Sequence, residues 1–112
     1  MTKRVVRTSL GPQAMGAYSQ AIVSGNLIDA KDIKAQTRRA LLNLQGILKG
    51  AGASLSNVVR TTVFLKNMGD FADFNSVYAE FFNEDPPARA TVEVARLPKD
   101  VAIEIDCIAV TD

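Results

Sequence analysis

The stretch that most constrains this chain runs from Pro86 to Val110, PPARATVEVARLPKDVAIEIDCIAV. Ala90, Val92 and Val94 alternate there with Arg89, Thr91 and Glu93, the period of two expected when successive side chains leave opposite faces of a half-buried strand. Pro86 and Pro87 fix the approach, because proline locks its own φ and biases the residue before it toward extended backbone. Arg96-Leu97-Pro98-Lys99-Asp100 interrupts the pattern with turn chemistry. Val101, Ile103, Ile105 and Cys107 then resume it, alternating with Ala102, Glu104, Asp106 and Ile108. The pattern predicts a β-hairpin. It places a guanidinium, Arg89, at the mouth of one strand and a carboxylate, Glu104, on its partner, a small polar site on an otherwise apolar sheet.

Upstream, Ile33, Ala40, Leu41, Leu44, Ile47 and Leu48 share one face at helical spacing, with Lys34, Arg38 and Arg39 elsewhere. Asp29 or Asp32 can cap the start of that helix, and Gly50 or Gly52 its end. Val58 to Leu65 is β-branched and apolar enough for a central strand. Asn67-Met68-Gly69-Asp70 leads into a second helix, from about Phe71 to Phe82. Its stripe of Phe71, Phe74, Tyr78, Phe81 and Phe82 is core material, since burial of such rings dominates core energetics. Residues 4–8 and 21–23 read as short strands, followed by turns at 9–13 and 24–26. Short strands, helix, strand, helix and hairpin in that order predict an α/β (α+β) two-layer sandwich, with two helices covering one face of a sheet. The other face is apolar on several strands and has no cover within the chain, which predicts a homo-oligomer.

At 112 residues the chain is one domain, 1–112, without linker, repeat or low-complexity segment. Thirteen Lys and Arg stand against twelve Asp and Glu, a formal +1, so there is no long-range field to draw in nucleic acid or an anionic membrane. There is no histidine. That removes the commonest general base, the commonest zinc ligand and any Ser-His or Cys-His nucleophile pair within the chain. A single cysteine, Cys107, excludes an intrachain disulfide and reads as a small hydrophobe rather than a nucleophile. Only Val5-Val6 separate Arg4 from Arg7, too little for a signal-peptide core, and no run reaches membrane-spanning length. The expected location is the cytoplasm, with mitochondria as the alternative.

GAYSQAI (16–22), IKAQTRRALLNLQGILKGAG, VVRTTVFLKNMGDFADFNSVYAEFF and the 86–110 stretch together resemble the RidA family, also called YjgF or L-PSP, over nearly the whole chain. The resemblance implies a chorismate-mutase-like fold and a homotrimer, helices outside and sheets lining the centre, with clefts between neighbouring subunits. It implies hydrolysis of reactive 2-enamine and 2-imine acids, such as 2-iminobutanoate and 2-iminopropanoate, to 2-oxo acids and ammonia. Neither metal nor organic cofactor is needed for that reaction. Alternative readings are a non-catalytic trimeric binder of small carboxylates, and the endoribonuclease or translation inhibitor for which the family is also labelled.

Carried over by the resemblance, Arg89 is the arginine that grips the substrate carboxylate, a task suited to its planar fork. Glu104 positions or activates the attacking water, and Tyr18 is the tyrosine of a Gly-Pro-Tyr motif in which Ala17 replaces the proline. Asn75 matches an asparagine near the cleft, and Thr91 takes a position often held by cysteine that supplies a backbone contact near the ligand. Between Asn26 and Asp29 the family has a further strand, a Ser-Gly-Gln motif and a Pro-x-Thr-Gly loop. Roughly fourteen residues of that kind have no counterpart here, more than a loop trim, since a strand of ~4–8 residues pairs through its backbone.

Overall fold

The computed structural model of the chain describes Ser9 and residues 32–111. The short strands expected at 4–8 and 21–23, the GAYSQAI motif with Tyr18, and the junction between Asn26 and Asp29 lie outside the described residues. Helix α1 spans Ile33–Gly50, strand β1 Val58–Leu65, helix α2 Phe71–Phe81, strand β2 Ala88–Glu93 and strand β3 Ile103–Ala109.

Asp32 caps α1: its Oδ1 accepts from the Ala35 N–H at 3.0 Å, satisfying one of the donors that a helix start leaves free. At the other end Gly52 takes φ +77°. There the Ala53 N–H reaches the Leu48 carbonyl at 2.8 Å and the Gly52 N–H that of Lys49 at 3.0 Å. This is a Schellman closure, which needs a left-handed residue at that position and so favours glycine. Ile33, Ala40, Leu41, Leu44 and Leu48 are buried as their spacing predicts. Gln36 and Thr37 are buried with them. The Thr37 hydroxyl donates to the Ile33 carbonyl at 2.7 Å, and Gln36 Oε1 accepts from the Ala102 N–H at 2.9 Å. Those bonds offset the desolvation of two polar groups, and the second ties α1 to the chain just before β3.

The sheet order is β2-β1-β3. β1 pairs parallel with β2 and antiparallel with β3, so the expected hairpin is corrected: β2 and β3 do not pair with one another but flank β1 on opposite sides. A connection across one intervening strand must cover about 10 Å, two strand spacings. The nine residues from Val94 to Ala102 reach that far, whereas a tight hairpin needs only about two to five. They step over the end of β1, the Val94 N–H donating to the Leu65 carbonyl and the Lys66 N–H to that of Ala102.

Register decides which side chains meet the helices. Thr61, Val63 and Leu65, fully buried, align with Arg89, Thr91 and Glu93 on β2 and with Cys107, Ile105 and Ile103 on β3. The helix-covered face of β2 is therefore the Arg89, Thr91, Glu93 set. Ala90 and Val92 lie on the other face, with Val92 40% exposed. That face, which no helix among the described residues covers, also carries Thr62 and Phe64 of β1 and Glu104, Asp106 and Ile108 of β3. Both helices pack on one side of a mixed sheet, with Phe74, Tyr78 and Phe82 of the aromatic stripe in the core and Phe71 and Phe81 at its margin.

Candidate functional site

Arg89 is the second residue of β2. Because α2 joins β1 to β2, the start of β2 lies alongside α2, and Arg89 on the helix-covered face meets it. Its guanidinium carbon lies 4.7 Å from the Tyr78 ring centroid and 5.4 Å from those of Phe74 and Phe71. Nη1 donates to Asn75 Oδ1 at 2.8 Å. Positions 71, 74, 75 and 78 share one helix face because neighbours three and four apart stack there. The rings support one another, Phe71 to Phe74 at 5.9 Å edge-on and Phe74 to Tyr78 at 5.4 Å. Aromatic faces carry negative potential and so stabilise the cation. Asn75 engages Nη1 only, and Nε and Nη2 have no hydrogen-bond partner among the described residues. That edge has the geometry to fork both oxygens of a carboxylate.

Thr91 stands two residues along the same face, its hydroxyl oxygen buried without a hydrogen-bond partner among the described residues. At the far end of β2, Glu93 Oε1 accepts from the Met68 N–H at 2.7 Å, tying the strand to the loop after β1. The structure thus brings together Arg89, Asn75 and, on the same strand face, Thr91.

Glu104 is elsewhere. It aligns with Phe64, whereas Arg89 aligns with Thr61, three positions away on β1 and therefore on the opposite face. The polar pair expected of one hairpin does not form within one chain. Burial, and after it the neighbouring Asp106 charge, push the half-buried Glu104 carboxyl above its ordinary value of 4.5. Such a group holds its proton more tightly folded than unfolded, so its contribution to stability is full below the unfolded value and is lost as pH rises through the folded one. Glu104→Gln is accordingly expected to melt higher than the native protein near about pH 7, with the gain vanishing toward about pH 4. Thermal melts across that range check it, and a gain that grows toward acid contradicts the assignment. Burial, then Asp106, pushes the Cys107 thiol up to about 11, so it stays protonated at neutral pH, an inert half-buried group as its sequence context suggests.

The rings beneath Arg89 were legible in the sequence only as core. Their second role emerges when the β1–α2–β2 connection sets Arg89 beside them.

A family model described as endoribonuclease L-PSP matches residues 8–111. A RutC family protein of Pyrococcus horikoshii is 51% identical over 122 residues, covering 96% of this chain and 97% of that protein. Since 96% of 112 residues is about 108, some fourteen of the 122 aligned positions are not filled by this chain. A 2-iminobutanoate/2-iminopropanoate deaminase of Salmonella typhimurium is 40% identical over 124 residues, covering 96% and 97%. Among solved structures, E. coli TdcF with bound serine superposes with a TM-score of 0.90 at 36% identity, covering 98% of this chain and all of that one. No helix among the described residues is long and apolar enough to cross a membrane.

Proposed function

The chain belongs to the L-PSP family, the RidA or YjgF family that its motifs resemble, and on that premise we propose that it hydrolyses 2-imino and 2-enamino acids to 2-oxo acids and ammonia. The observation that carries this reading is Arg89, held from one side by three rings and Asn75, with its Nε–Nη2 edge unpaired among the described residues and shaped for a carboxylate. The Salmonella relative is named for this reaction, and the serine in TdcF carries the carboxylate that such an edge would grip.

An imine carbon is already electrophilic, so positioning supplies most of what the reaction needs. Arg89 fixes the carboxylate, and Thr91 on the same strand face borders the ligand. Water adds to the C=N carbon, the nitrogen takes a proton, and the resulting carbinolamine expels ammonia to leave the 2-oxo acid. Glu104 is the group suited to move those protons, since a carboxyl raised by burial is closer to neutrality than an exposed one. It reaches Arg89 only from a neighbouring copy. A homotrimer with clefts between subunits provides that arrangement and covers the sheet face on which Val92 and Ile108, 40% and 58% exposed, lie open.

The test couples fresh 2-iminobutanoate to the purified protein and follows ammonia release, together with the mass in solution. Accelerated release by a species of about 36 kDa, three times the 12.1 kDa chain, is the expected result. Two observations favour a second reading, a trimeric carboxylate binder without turnover. The arginine fork is complete within one chain while Glu104 lies across the sheet, and relatives hold about fourteen aligned positions that this chain lacks. Binding of 2-oxobutanoate with no acceleration would establish it. The endoribonuclease in the family's description has little footing in a histidine-free chain of net charge +1. RNA cleavage that persists through purification and disappears in Arg89→Ala is the outcome that would restore it.

A further inference from the structure

Tyr78 carries the ring nearest the Arg89 guanidinium, at 4.7 Å. The residue is 5% exposed, and its hydroxyl meets Thr61 Oγ1 at 2.8 Å, Thr61 being fully buried. Thr61 is also the residue of β1 in register with Arg89. One central-strand residue therefore fixes both the backbone beside Arg89 and the ring beneath its side chain. Packing against Phe74 and Phe82, tilted to it at centroid distances of 5.4 and 4.8 Å, confines the ring. The hydroxyl contact adds what packing alone does not, a directional stop against sliding in the ring plane.

We propose that Tyr78, anchored at its hydroxyl to Thr61, is a positioning residue that sets the plane of the Arg89 guanidinium and aims its Nε–Nη2 edge at the ligand carboxylate. The proposal rests on the reading of Arg89 as the carboxylate grip. Asn75 holds one end of the guanidinium, and the Tyr78 ring holds its face. Together they leave the group one orientation instead of a fan of rotamers, and a preorganised fork loses less freedom when the ligand docks.

A core hydrogen bond with no such role makes a different prediction. Tyr78→Phe alone strands the buried Thr61 hydroxyl and destabilises the fold. Tyr78→Phe combined with Thr61→Val removes both polar atoms with little change of shape, and such paired removal is close to neutral for stability. If the contact serves only the core, the double variant recovers native melting temperature and native affinity alike. Positioning predicts that it recovers the melting temperature yet binds 2-oxobutanoate about two- to tenfold more weakly, the range that one net hydrogen bond commands. Thr61→Ser, which keeps the hydroxyl, is expected to bind as the native protein does.

Calorimetric titration of 2-oxobutanoate into the native protein, these variants and Arg89→Ala separates the two levels of failure. Unchanged affinity in Arg89→Ala overturns the carboxylate reading, and the positioning role with it. Lost affinity in Arg89→Ala with native affinity in the double variant overturns the positioning role alone. A readout free of ligand is the Arg89 Nε–H resonance, which ring currents shift and hindered rotation sharpens. It is expected to move and broaden in the double variant and in Thr61→Val alone, and an unchanged resonance in both contradicts the proposal.

Discussion

Arg89→Ala is expected to abolish ammonia release from freshly generated 2-iminobutanoate while leaving fold and assembly intact. Under the proposed function the substitution removes two charge-assisted hydrogen bonds to the carboxylate, each worth about 1.5–3 kcal/mol, so kcat/KM should fall by roughly 10²–10⁴-fold. The strand tolerates it because β2 is held by its backbone ladder to β1 from Ala88 to Glu93, and alanine already stands on either side at Ala88 and Ala90. What the fold loses is the cation over three rings, about 0.5–1 kcal/mol at a partly exposed site, and the Arg89–Asn75 hydrogen bond, about 1 kcal/mol net. Arg89→Lys restores charge without the fork and should recover only part of the rate. Circular dichroism and sizing accompany the assay, and hydrolysis at the native rate in Arg89→Ala removes this residue from the mechanism.

Phe74→Ala should have the largest effect on stability. Phe74 is fully buried on α2, packed between Phe71 and Tyr78 and beneath the Arg89 guanidinium. Truncating a buried phenylalanine costs about 3–5 kcal/mol, transfer and cavity together, against a total of about 5–15 kcal/mol for a domain of this kind. At about 4–8 °C per kcal/mol, the melting temperature falls far enough to read in a single scan. A loss under about 1 kcal/mol would mean that the ring is not the centre of the packing. Phe74→Leu, which fills much of the space, should lose less stability and still disturb ligand affinity, since it takes one aromatic face from Arg89.

Local pattern located the elements well. Val58–Leu65 emerges with the expected bounds because seven β-branched or apolar residues, broken only by Arg60, lie between polar Ser56-Asn57 and Lys66-Asn67. The second helix ends one residue earlier than expected, at Phe81. Pairing was not legible. Alternation in 88–93 and 103–109 declares two strands, and a turn between them suggests neighbours, yet a central β1 requires a partner on each side and takes both. Which face of β2 turns inward was not legible either, for a related reason. Ala90 and Val92 look like the inward set, but small apolar residues occupy the uncovered face, while Arg89 turns inward because the rings of α2 receive its charge. Gln36 escaped notice since a polar residue in a helical stripe reads as outward until Ala102 arrives from the far end of the chain to bond it. Arg89, Asn75 and Thr91 were named through the family's motifs, and the structure bonds Asn75 to Arg89 and sets Thr91 on the same face of β2. Glu104, found the same way, lies across the sheet.

Arg89 and the side chains that hold it, Phe71, Phe74, Asn75 and Tyr78, together with the anchoring Thr61, fall within residues 61–89. They form a single β1–α2–β2 unit in which each strand is already paired to the other. The consequence is one of modularity: every side chain described around Arg89 comes from one uninterrupted segment of the chain. A change of length elsewhere in the chain leaves the order and spacing of these residues untouched, whereas a substitution within 61–89 acts directly on how the Arg89 guanidinium is held.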